Sequence, residues 1–164
     1  MQMAPLVALV RDFNAAGVRY LIVGGLAVFA HGFRRTTQDI DLVFDFAPEN
    51  VEKSMAILGR HGYRPRAPVS FAQFADPDMR RRWIEETDLI VLSLWNPSQP
   101  TNEIDVLVAE PFDIPAAWRQ AMWGEIAPGT AAAFVDRERL LAMKRLAGRP
   151  QDLVDIAELE RLKA

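Results

Sequence analysis

Three aspartates stand where the surrounding residues call for a strand interior. In "DIDLVFD" (39–45), Ile40, Leu42, Val43 and Phe44 suit a buried sheet, yet Asp39 and Asp41 alternate with them. Side chains alternate across a strand, so Asp39 and Asp41 share one face with Cα atoms roughly 7 Å apart. Asp105 interrupts "EIDVLVA" in the same way, with Glu103 two residues earlier on its face. Three carboxylates from two strands repel one another unless a divalent cation lies between them. An all-oxygen ligand set of this kind suits magnesium or manganese. Two such ions about 4 Å apart form a clamp for in-line phosphoryl displacement. A D-x-D by itself is weak: Asp39 also suits a strand start in water, and Asp41 an edge charge that resists aggregation. Asp45, at the far end of the segment, is expected to be solvated.

Neighbouring residues add to the aspartates. Gly24 and Gly25 fall between an apolar strand and a short helix, where glycine lets a ligand approach the backbone and free N–H groups face a phosphate. Most Gly-Gly pairs are simply tight turns. Arg34 and Arg35, just upstream of the acidic strand, are suited to neutralising phosphate oxygens, or are solvated loop cations. His31 sits at a helix end, where a cation is favoured by the dipole. "RRRW" (80–83) reads as a solvated helix face and as the best basic patch for an acidic acceptor. Trp83, Trp95, Trp118 and Trp123 read as packing residues.

The elements that position these residues follow from periodicity. Apolar spacing predicts a helix over 5–16 stopped by Gly17, then a strand at "RYLIV" and a short helix at "LAVFAH" ending at Gly32. The acidic strand comes next, then a helix opened by Pro48 and running to Gly62. Residues 63–78 hold three prolines and give no clear pattern. Asp76 and Pro77 read as the N-cap and first residue of "DMRRRWIEET". "DLIVLSLW" and "EIDVLVA" predict an antiparallel hairpin across "NPSQPTN". A weaker helix at "PAAWRQAM" precedes two C-terminal helices. The expectation is one domain over 1–164, with a core at about 17–110 and the helical pair at about 136–162. The fold class is α+β (α/β in looser terms): a mixed, partly antiparallel sheet with helices packed against it.

In this arrangement, "YLIVGGLAVFAHGFRRTTQDIDLVFD" followed by "NEIDVLVA" resembles the nucleotidyltransferase superfamily built on a minimal polymerase-beta-like core. The wording "GGLAVFAHGFRRTTQDIDL" and the ending "LLAMKRLAGRPQDLVDIAEL" are most similar to the bacterial abortive-infection toxin-like subgroup, whose members figure in toxin–antitoxin systems and phage defence. The resemblance spans about Tyr20 to Leu159, with 63–94 unassigned. It implies that Gly24 and Gly25 cradle the triphosphate of a nucleoside triphosphate such as ATP, and that Asp39, Asp41 and Asp105 hold Mg2+ or Mn2+. Asp105 would also activate the acceptor hydroxyl. Arg34, Arg35 and Lys144 would face the phosphates; Lys144 alternatively reads as a plain surface lysine. Arg149, Asp152 and Asp155 match the family's R-x-x-D-x-x-D ending, and capping and salt bridging are preferred for them. Many members carry serine where Gly25 stands. The implied acceptor is an RNA, a small molecule or a protein hydroxyl, with a partner protein as one way to complete the acceptor side.

Composition narrows the field. The chain has 164 residues, net charge −3 and no cysteine, which excludes disulfides and thiolate zinc sites and argues against a broad grip on nucleic acid. The start "MQMAPLVALVRDF" carries no basic segment, and the longest apolar run, "LIVGGLAVFA", is too short to span a bilayer. A cytoplasmic protein with no membrane partner is expected. Two rivals remain. "DIDLV" fits the aspartate-nucleophile phosphatases, but a strand and Gly-Gly precede it here. A catalytically inactive module of the same fold, holding a nucleotide or a partner protein, is the stronger rival.

Overall fold

The acidic segment forms a central strand. In the computed structural model, which describes residues 2–162, β1 (Tyr20–Ile22) and β2 (Ile40–Phe44) pair antiparallel, Ile22 opposite Leu42. On the other side of β2 lies β5 (Ile104–Leu107), parallel to it, with Asp41 opposite Asp105. β4 (Val91–Trp95) pairs antiparallel with β5, as the hairpin pattern predicts, and the two-residue β3 (Arg64–Pro65) adds to β4. The far side is completed by β7 (Thr130–Phe134), parallel to β1, and by β6 (Met122–Ala127), antiparallel to β7. The result is a seven-stranded mixed sheet ordered β3-β4-β5-β2-β1-β7-β6, the mixed, partly antiparallel sheet expected from the sequence.

Helices cover this sheet where their apolar stripes require. α1 (Met3–Ala15) buries Leu6, Leu9, Val10 and Phe13, and ends before Gly17, whose φ of +65° suits glycine. α2 (Gly24–Ala30) follows β1 directly, and α3 (Pro48–Arg60) starts on its proline as expected. Residues 63–78 resolve into β3 and α4 (Phe71–Ala75), the latter held by a capping box between Ser70 and Gln73. α5 (Pro77–Thr87) is capped by the Asp76 side chain, and α6 (Ile114–Arg119) by Asp113. α7 (Arg137–Ala147) and α8 (Pro150–Arg161) form the C-terminal pair.

Three expectations need correction. The hairpin of β6 and β7 was not anticipated: "TAAAF" has weak strand propensity, and its place is fixed by pairing with β1 rather than by local preference. Asp45 is not solvated. It is buried, ion-paired with Arg19, and accepts from the Ala47 N–H, so it caps the turn into α3. "RRRW" is not a uniformly solvated face. Arg80 is 6% exposed, lies over the Phe46 ring at 4.3 Å and donates to the Phe74 carbonyl, while Trp83 is buried. Arg81 and Arg82 remain exposed, paired within the helix to Asp78 and Glu86.

Leu42, between Asp41 and Val43, is fully enclosed beside Ile22 and Val106. Leu42→Ala is expected to lower unfolding stability by about 2–5 kcal/mol, read as a lower urea midpoint at unchanged slope.

Candidate active site

The site is built where β1, β2 and β5 bring their ends together. β1 runs opposite to β2 and β5, so the turn leaving β1 meets the start of the two acidic strands. Gly24 makes that meeting close. Its φ is +62°, and a Cβ there would lie 1.9 Å from the Asp41 carboxylate. No L-residue with a side chain fits without displacing Asp41. Gly25 is covered in turn: a Cβ there would meet Thr37 Oγ1 at 2.5 Å and Arg35 Nη2 at 2.8 Å.

Asp41 is largely withdrawn from water, Asp105 is half-buried opposite it, and Asp39 is exposed at the rim. Burial first, then the charges of Asp105 and Asp39, push Asp41 up to about 6, while the Gly25 N–H and Arg149 pull the other way. Asp39 is also raised, by desolvation and by Asp105 and Glu103. Glu103 is paired with Arg66 at the surface but still adds to the repulsion felt by Asp39. Among the described residues, no three acidic or histidine side chains are already drawn into a finished metal cage. The donor chemistry nonetheless fits a hard divalent cation: oxygen donors only, on adjacent strands in register, with charge that is costly when uncompensated.

The cations are arranged in depth. Arg35 is half-buried, its Nε 3.0 Å from Asp155 Oδ1, an ion pair too poorly aligned to count as a hydrogen bond. Arg34 is exposed. Lys144 has surroundings different from either expectation. It is 4% exposed, with Nζ 2.9 Å from Asp152 and 2.7 Å from Asp155. It is neither a surface lysine nor a cation open to a ligand; two carboxylates occupy it. Arg149, read from sequence as a structural residue, pairs with Asp152 at 2.7 Å and leaves most of its side chain exposed. Its charge also reaches Asp41. For Asp152, burial opposes ionisation, but bonds from Arg149 and Lys144 outweigh it and hold the carboxyl down at about 2. The preferred capping and salt-bridging roles of Arg149, Asp152 and Asp155 hold in this geometry. His31 caps α2 and its ring Nε2 lies 2.8 Å from the Val135 carbonyl oxygen.

The structure therefore gathers Gly24, Gly25, Arg35, Asp39, Asp41 and Asp105, adds Arg149, and sets Lys144 behind them. The signal for Arg149 was its place at the start of a helix whose first turn carries Asp152. What the sequence could not supply was the direction of its exposed guanidinium.

The chain matches no protein-family model and no curated protein. Among solved structures, it is similar to lincosamide antibiotic adenylyltransferase LnuA, bound to lincomycin, with a TM-score of 0.58, 15% identity and 96% of each chain covered. It is also similar to ANT(2")-Ia in complex with adenylyl-2"-tobramycin, with a TM-score of 0.54 and 18% identity over 96% of this chain and 92% of that one.

Two expectations follow from the charges. Asp41 rises from an ordinary 3.8 to about 6 on folding, so the folded protein binds more protons than the unfolded chain across that window. Stability then falls as pH rises through it, and Asp41→Asn should stabilise the metal-free protein at pH 7.5 by on the order of 3 kcal/mol, measured by urea unfolding. Lys144→Met strands two buried carboxylates and should cost about 3–5 kcal/mol in the same assay. At these levels of identity, the two likenesses establish a nucleotidyltransferase-like fold.

Proposed function

We propose that the chain is a metal-dependent nucleotidyltransferase, moving a nucleoside monophosphate from a nucleoside triphosphate to a hydroxyl of a small-molecule acceptor. The observation that carries this reading is the placement of Asp41: opposite Asp105 in a parallel register, and pressed against a glycine turn that admits no Cβ. A structural domain gains nothing from such like-charge crowding, whereas a site for cations and phosphates uses it.

In this reading Asp39, Asp41 and Asp105 hold magnesium or manganese, which neutralises charge on the phosphates and steadies the leaving pyrophosphate. The Gly24–Gly25 backbone lies against the triphosphate, with Arg35 and Arg149 supplying positive charge from the side. Lys144 serves indirectly, fixing Asp155 and thereby Arg35; Arg34 is free to meet the outer phosphates. The acceptor oxygen bonds to the α-phosphorus as the bond from that phosphorus to the bridging oxygen of pyrophosphate breaks. The hydroxyl proton passes to Asp105. The protein contributes alignment and charge neutralisation.

The choice of a small-molecule acceptor is supported by the two similar adenylyltransferases, which carry lincomycin and an adenylylated tobramycin. An RNA or protein hydroxyl is the competing outcome.

Thermal unfolding with magnesium and each nucleoside triphosphate tests the site. Ligand at a hundred times its dissociation constant should stabilise wild type by about 2.7 kcal/mol and leave Asp39→Asn/Asp41→Asn unchanged. Pyrophosphate release with small hydroxyl compounds, RNA or protein added then identifies the acceptor class. Nucleotide binding without pyrophosphate release from any of them would favour the inactive module.

A further inference from the structure

A second concavity lies beside the glycine turn and shares only Arg35 and Thr37 with the site described above. It encloses about 810 Å³, within the range of sites that bury a small organic molecule. Leu6, Leu26 and Phe134 form its buried floor. Its rim carries three large apolar side chains held in water: Met3 at 44% exposure, Phe29 at 52% and Trp123 at 50%. Exposing an indole and a phenyl ring on one cleft costs solvation free energy that a ligand would recover.

Its place in the fold ties it to the turn. Phe134 lies opposite both Ile22 and Met122, so this stretch of β6 sits level with the end of β1 that leads into Gly24. Arg35 and Thr37 line the cleft, and the same two side chains lie over Gly25. They form a wall shared by both concavities. Met3 follows Gln2, whose backbone is bonded twice to the Asn102 side chain, each bond 2.7 Å, at the approach to β5.

The charges select among occupants. Only Arg35 and Glu125 of the lining carry charge. Arg35 is paired to Asp155, and Glu125 accepts from the Gly129 N–H at 3.0 Å. Glu125 is the one carboxylate among these lining residues, and the three aspartates lie on the other side of the Arg35–Thr37 wall. Thr36 and Thr37 add hydroxyls for hydrogen bonding.

We propose that this cleft binds the flat apolar part of an uncharged, hydroxyl-bearing molecule, seated against Trp123 and Phe29. Two sources share that chemistry: the nucleoside end of the nucleotide, and a separate acceptor. The cleft's ligand class stands on its own lining, while these two assignments rest on the nucleotidyltransferase reading.

Calorimetric titrations on wild type, Phe29→Ser and Trp123→Ser test it; Phe29→Ser should leave the melting temperature unchanged, while Trp123→Ser, which also removes the edge contact with Trp118, should fold with a slightly lowered one. The probes are magnesium tripolyphosphate, magnesium ATP, 2-naphthyl β-glucoside and tobramycin. A tenfold or greater loss of ATP affinity in the variants, with tripolyphosphate unchanged, supports the cleft as the nucleoside site. The same loss for the naphthyl glucoside, with ATP unchanged, supports it as the acceptor site. The proposal is overturned if both affinities are insensitive to the variants, if the glucoside fails to bind and ATP is unaffected, or if tobramycin is the ligand whose binding they abolish. It is equally overturned if the variants dissolve a wild-type dimer and change no ligand. Failure of the nucleotidyltransferase reading looks different: wild type would bind neither ATP nor tripolyphosphate, whatever the glucoside does.

Discussion

The contact between the Asp41 carboxylate and Gly24 is the constraint around which the site is arranged. A side chain at position 24 would overlap the carboxylate, and the positive φ there disfavours any residue but glycine. With glycine, the turn after β1 comes down onto the acidic strand. Asp41 is thereby desolvated and brought near two other carboxylates, so its ionised form is disfavoured in the protein alone. The geometry of the backbone and the cost of charge are one feature. The fold accepts a locally unfavourable carboxylate because β2 is held on both edges, by β1 and β5, and is sealed on its other face by Ile40, Leu42 and Phe44.

A second electrostatic arrangement supports the first from behind. Lys144 from α7 and Asp152 and Asp155 from α8 are buried together. Isolated, each would be severely destabilising; paired, they fix how the two helices meet. Arg35 joins Asp155 to the loop over Gly25, and Arg149 joins Asp152 to the field around Asp41. The C-terminal helices therefore set the positions of cations at the turn. Removing charge from this group would alter stability and arginine placement together, which separates it from an ordinary surface salt bridge worth at most about 1 kcal/mol.

Much of this was legible because it depends on local pattern. Alternation in "DIDLVFD" and "EIDVLVA" defined two strands and the faces of their aspartates, and Pro48, Asp76 and Pro77 marked helix starts that the structure retains. What was not legible depends on tertiary neighbours. The strand at Ala131–Ala133 is made by its pairing with β6, with β1 joining at Phe134, and not by its own weak propensity. Arg80 looks like any helix-surface arginine until Phe46 and Phe74 close over it. Lys144 looks equally plain, because the two carboxylates that bury it lie on the next helix. Periodicity locates a charged side chain on an element, but only packing decides whether its charge faces water, a ligand or another charge.

Asp41 and Asp45 show that distinction within a single strand and its end. Both are aspartates on an apolar segment, and both are withdrawn from water. Asp45 meets the Arg19 guanidinium and the Ala47 N–H, so its charge is compensated within the chain and its role is complete on folding. Asp41 meets two further carboxylates, and the Gly25 N–H and the more distant Arg149 offset them only in part. The difference lies in what the neighbouring chain supplies, not in residue type or burial. Burial of a carboxylate is thus a poor guide to function by itself. Burial with its charge left uncompensated, against a turn that admits no side chain, is the stronger indication that the missing positive charge comes from outside the chain.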